Sequence, residues 1–215
     1  MKTKKMKVTF LAVVLAFAAM STPVFPQGKL STAIGDVQFQ FIGQAGIPST
    51  PPPTFAQTQY GYLTYVNGVS EIQSIFNPGP QDQTTALFTF YSDTVAERIT
   101  NNGPIRIIDR TGTMTIYLDT TPDGDFTNPD SFRDGVPIQT SELRLQFILD
   151  TITGAFYVTS YHTITSSELF NFGSDNLFLG KAGQKFRRTI IGHVTPPGTS
   201  PAAHLAGYAV GDLKE

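Results

Sequence analysis

Residues 141–165 read SELRLQFILDTITGAFYVTSYHTIT. Over 141–150, Leu143, Leu145, Phe147 and Leu149 alternate with Glu142, Arg144 and Gln146, the period of a strand with one face buried and the other in water. Over 154–165, Phe156, Val158, His162 and Ile164 share one face, while Tyr157, Thr159, Tyr161 and Thr163 share the other. Residues 150–154 carry turn chemistry, with an Asp at one end and a Gly at the other. The two segments are therefore expected to form a long antiparallel hairpin.

The same period recurs in both directions along the chain. It predicts strands over 37–42, 59–66, 69–76, 84–91, 95–100, 105–109, 113–119, 185–194 and 204–210. Asn67-Gly68 reads as a two-residue hairpin turn, and Asn77-Pro78-Gly79-Pro80 and Asn102-Gly103-Pro104 break the alternation elsewhere. The stretch between 165 and 185 reads as irregular, and no segment after residue 27 keeps a helical period. Successive strands with short turns imply an all-β fold, a mostly antiparallel β-barrel of about 8–11 strands, with a β-sandwich or jelly roll as the alternative. The phenylalanines, 17 in all, exceed what one flat sheet buries. Gly61, Gly154, Gly192 and Gly207 fall where a curling sheet needs kinks. Both features favour the barrel.

The N-terminus has a different character. Lys2, Lys4, Lys5 and Lys7 lead into an uncharged apolar run over 8–20, too short to span a bilayer as a helix. Ala16 and Ala18 give an A-x-A cleavage pattern, and Pro23 and Pro26 stop any helix beyond it. Residues 1–27 are thus expected to be a cleavable signal peptide with a short mature N-terminal segment, and 28–215 a single β domain. The expected location is secreted or periplasmic, with no membrane span in the mature form.

Composition narrows the function. Without the four signal lysines, 11 basic residues face 17 acidic ones, a formal charge of about −6, which disfavours a nucleic-acid partner. The one tight basic cluster, Lys185, Arg187 and Arg188, reads as a solvated strand edge. There is no cysteine, which excludes disulfides, thiolate metal sites and a catalytic thiol. Together with the lysine-rich signal this composition has a bacterial look. The G-x-S-x-G elbow of one large class of serine hydrolases is absent as well.

Two places carry candidate chemistry. Residues 119–130 read DTTPDGDFTNPD, and Asp119, Asp123, Asp125 and Asp130 have the spacing of hard oxygen ligands around calcium, with Gly124 for the sharp turn. Calcium is the one cofactor the sequence suggests; the alternative is a polar hairpin loop. On the expected hairpin, His162 lies on an apolar face, as a general base, a ligand contact or a hydrogen-bonded core residue. Tyr157 and Tyr161 beside it are candidates for ligand binding. The sequence thus reads as a secreted binding or structural module. It either holds a small apolar molecule inside a barrel or presents a sheet face to an extracellular partner. The alternative is a barrel-cavity enzyme of cyclase, isomerase or hydrolase type using an interior histidine or carboxylate.

Overall fold

A computed structural model describes residues 28–29, 35–47 and 55–212. The expected signal segment 1–27 and most of the proline-bearing connection 46–54 lie outside the described residues. The strands are β1 (Gly28–Lys29), β2 (Val37–Gly46), β3 (Ala56–Val66), β4 (Phe88–Asn102), β5 (Ile105–Leu118), β6 (Val136–Asp150), β7 (Ala155–Ser167), β8 (Phe170–Phe172), β9 (Asp175–Phe178), β10 (Lys185–Val194) and β11 (Ala203–Asp212). A single 3-10 turn, Pro129–Phe132, interrupts the β structure among the described residues.

Eight strands close a barrel in the order β10-β11-β2-β3-β4-β5-β6-β7, and β7 pairs back onto β10. Every barrel pair is antiparallel. Strands β1, β9 and β8 form a separate three-stranded sheet. The sandwich alternative is thereby set aside.

The expected hairpin is the β6–β7 pair, with Leu145 opposite Ser160 and Phe147 opposite Val158. Asp150 ends β6, where its Oδ1 accepts the Ile152 N–H at 2.9 Å, and Gly154 takes φ 77° to start β7. Leu143, Leu145, Phe147, Phe156, Val158 and Ile164 all join one core with Phe39, Phe41, Phe88 and Phe90. The polar partners on each strand face outward. This sidedness is the reverse of a lipid-facing barrel, whose outer wall is apolar.

Three sequence expectations change. Residues 69–72 form hydrogen-bonded turns, with bends at 73 and 75, not a strand, before Phe76 bridges Ala86: Ser70 N–H donates to Val66 O and Gln73 N–H to Val69 O. The turns let Val69 and Ile75 enter the core from the end of the barrel, so Asn67-Gly68 joins no hairpin. Segments 84–91 and 95–100 yield one strand, β4, which starts at Phe88, and 105–109 and 113–119 likewise merge into β5. The polar residues that look like breaks are satisfied within the wall: Ser92 Oγ donates to Thr113 O at 3.0 Å and Thr94 Oγ1 to Gln57 O at 3.2 Å. Finally, the stretch read as irregular contains β8 and β9.

The barrel has two unlike ends. One is covered by the segments after β3 and β7, where Phe170 and Phe172 pack edge-on against Phe88 at 5.9 and 5.2 Å. At the other end β2, β4, β6 and β10 finish. In the wall between, Gly43 faces Gly61 across the β2–β3 ladder. A methyl on Gly43 would strike the Tyr60 carbonyl and come within 3.0 Å of Phe90 Cζ. Gly43→Ala should therefore lower stability by about 1–3 kcal/mol, the usual range for overpacking. The expected reading is a lower urea midpoint at unchanged m-value, and a wild-type midpoint would contradict this packing.

Candidate functional site

At the end where β2, β4, β6 and β10 finish, the described residues enclose a cavity of about 910 Å³. The wall is apolar along Ile108 of β5, Phe147 and Leu149 of β6, Phe156 of β7 and Leu205 of β11. These residues occupy alternate positions on their strands, so the period that builds the core also lines its mouth. Phe147 and Phe156 pack in a tilted pair with ring centroids 4.8 Å apart. Polar groups enter at a few points: Arg106 and Arg110 from β5, Gln57 and Gln59 from β3, and Asp130 at the rim. Asp130 is paired with Arg133 at 2.7 Å, and Arg110 donates to Phe55 O at 2.8 Å. Partial burial holds the Arg110 guanidinium below its usual range. Gln57 Oε1 is buried and accepts no hydrogen bond.

Gln59 is the floor, and beneath it lies Arg188. The sequence reading of Lys185, Arg187 and Arg188 as one solvated cluster is corrected here. Lys185 and Arg187 point outward, but Arg188 alternates with Phe186 and Ile190 and is 1% exposed. Its Nη1 donates to Met114 Sδ at 2.6 Å and its Nη2 to Gln59 Oε1 at 3.5 Å, while Nε has no partner. The guanidinium carbon sits 4.4 Å from the Phe41 ring centroid and 5.3 Å from that of Phe90. Among the described residues no carboxylate occupies an inward position on the barrel strands. Desolvation pushes the Arg188 pKa down to about 9. A buried charge without a counter-ion costs several kcal/mol, and each good cation–π contact returns roughly 1–2.

His162 also faces inward, fully buried, with its ring stacked on Phe186 at 4.4 Å. Ser141 Oγ lies 3.0 Å from Nδ1, and Ser160 Oγ contacts Nε2. A neutral imidazole fits such a pair, donating to one hydroxyl and accepting from the other. Burial, and then the nearby Arg188 charge, hold the His162 pKa well below its usual value. Both ring nitrogens are thus engaged within the core.

Tyr157 and Tyr161 stand on the opposite face of β7 from His162, 45% and 62% exposed, and Tyr161 and His162 both border a pocket of about 580 Å³ on the β5–β6–β7–β10 side of the barrel. Tyr157 instead begins an outer-wall row in which it opposes Ile191, Ile191 opposes Ala206, and Ala206 opposes Ile42.

The acidic loop lies against the outside of the barrel. Phe126 and Phe132 bury themselves on Tyr60, Tyr62 and Tyr91, an anchoring role the sequence reading missed. The four aspartates then separate. Asp125 accepts the Thr127 N–H and hydroxyl at 2.8 Å, bonds that lower its pKa, and Asp130 holds Arg133. Asp119 and Asp123 come together with Asp134, one oxygen of each within 4.8 Å of the others. Asp119 Oδ1 accepts the Thr121 N–H, whereas its buried Oδ2 accepts nothing. Burial, and then the charges of Asp123 and Asp119, raise the Asp134 pKa.

No protein-family model, curated protein or solved structure matches this chain.

The state of His162 is open to direct measurement. Its folded pKa lies below the unfolded value of 6.5, so below that pH the unfolded chain binds the extra proton. Stability should therefore fall as pH drops through 6.5 towards the folded pKa, by up to about 1.4 kcal/mol per pH unit. Urea unfolding at about pH 7.5 and about pH 5.5 should show a smaller loss for His162→Gln than for wild type. Equal losses would mean that His162 does not titrate in this way.

Proposed function

We propose that this chain is an exported binding module that takes a small, largely apolar molecule into the end of its barrel where β2, β4, β6 and β10 finish. One observation carries the reading: the barrel is filled at one end and, at the other, leaves about 910 Å³ walled by Ile108, Phe147, Leu149, Phe156 and Leu205. A cavity of that size, mostly apolar with a few polar groups, is the usual form of a small-molecule site. Eight strands give an interior that side chains fill or that accepts one small ligand. The charged, then apolar, N-terminal run supports export. An enzyme reading has less support, because both His162 nitrogens are held by serines and the described inward positions carry no carboxylate. An extracellular partner would find its surface in the outer row of Tyr157, Ile191 and Ile42.

A second reading rests on the Asp119 Oδ2 atom. A buried carboxylate oxygen without a donor, facing a mutual crowd of Asp119, Asp123 and Asp134, favours a hard cation such as calcium held by these three. This ligand set keeps two of the four residues expected from sequence and replaces Asp125 and Asp130 with Asp134.

Each reading has its own assay. Full-length protein should enhance the fluorescence of the neutral probe N-phenyl-1-naphthylamine. Ala203→Phe, which fills the mouth from β11, should weaken binding about tenfold or more, equivalent to 1.4 kcal/mol, and an unaffected affinity would place the probe elsewhere. For the loop, calcium at about a hundred times its Kd adds roughly 2.7 kcal/mol, several degrees in Tm. Asp123→Asn and Asp134→Asn should shrink that shift and Asp125→Asn should not. Identical melting in calcium and in chelator would reject the cation.

A further inference from the structure

We propose that the molecule held in the barrel mouth is an organic acid whose carboxylate reaches Arg188 from the Gln59 side, its apolar portion lying against Phe147, Phe156 and Leu205. The proposal rests on the reading of the mouth as a binding cavity and adds the chemistry of its ligand.

Arg188 has more hydrogen-bond donors than the barrel interior supplies acceptors. A guanidinium has five N–H donors in a fixed planar fork. In Arg188 one donor meets a thioether, a weak acceptor, another meets Gln59 Oε1 at the outer limit of 3.5 Å, and Nε–H meets nothing. Phe41 and Phe90 lie 4.4 and 5.3 Å from the guanidinium carbon and offer its N–H groups no carbonyl or carboxylate acceptor. A carboxylate accepts two parallel N–H bonds from such a fork.

Access and charge agree with this. Gln59 both lines the cavity and touches Arg188, to which one hydrogen bond of 3.5 Å holds it. A carboxylate that turns Gln59 aside gains the fork. The cavity wall adds Arg106 and Arg110, and its one acid, Asp130, is already paired with Arg133. A chain with an acidic excess therefore keeps a positive path into its barrel, which draws anions inward.

A matched pair of probes isolates the charge: 11-(dansylamino)undecanoic acid and its methyl ester, titrated into full-length protein by fluorescence. Wild type should bind the acid at least about tenfold more tightly than the ester, and Arg188→Met should bind both with the ester's affinity. Arg110→Met should keep most of the preference. Equal binding of acid and ester to wild type would overturn the proposal while leaving the cavity reading intact, and binding of neither would overturn both. A preference that survives Arg188→Met, or that vanishes only in Arg110→Met, would also overturn it. Where Arg188→Met fails to fold, competition decides on wild type alone: octanoate should displace the acid probe and octanol should not, and equal displacement by both would count against the carboxylate.

Discussion

The pairing of β11 with β2 is the constraint on which the rest of the molecule depends. These are the last and first strands of the barrel, and they run antiparallel from Ala203 opposite Ala45 to Val210 opposite Val37. Without that ladder the sheet would have two open edges and an exposed face of phenylalanine. With it, the two-residue alternation of each strand becomes a distinction between inside and outside. Closure also fixes what sits at the ends. The segments after β3 and β7 emerge at one end and fill it, and the described residues leave the cavity at the other.

Inside the closed wall, polar groups are mostly neutral and bonded. Ser92 bonds Thr113 O, Ser141 and Ser160 hold His162, and Gln139 Nε2 donates to Leu179 O. Arg188 is the fully buried charge among the described inward residues. Two aromatic faces and a sulfur offset part of its desolvation, but no opposite charge does so among the described residues. Structures break local rules chiefly at functional sites, and this residue lies directly beneath the cavity floor. The structural departure and the candidate site coincide.

Much of the fold is legible in the sequence where alternation is long and the turn is simple. The β6–β7 hairpin is the best case, since Leu143 to Leu149 and Phe156 to Ile164 mark their faces without interruption. Strands β4 and β5 are harder because Ser92, Thr94 and Gly112 resemble turn residues. In the barrel Ser92 and Thr94 bond to neighbouring strands, and at Gly112 the backbone of Asp93 approaches too closely for a side chain. Residues 69–76 mislead because Val69 and Ile75 are buried under the barrel end by turns, and burial alone does not distinguish a turn from a strand. Of the site, His162 is readable from its apolar face. Arg188 has the same signal, between Phe186 and Ile190, but its cationic neighbours Lys185 and Arg187 invite a surface reading. The grouping of Asp134 with Asp119 and Asp123 has no local signature, because the return of the loop onto the barrel brings it about.

In the proposed complex the buried guanidinium is one half of an ion pair whose other half arrives from the mouth. Because Arg188 Nε–H is shielded from water and has no partner, its nitrogen–proton resonance should be resolved from those of the exposed arginines by NMR. Titration of full-length protein with octanoate should move that resonance, and octanol of the same chain length should leave it in place. An Arg188 Nε–H signal that ignores octanoate at concentrations that fill the cavity would contradict the account.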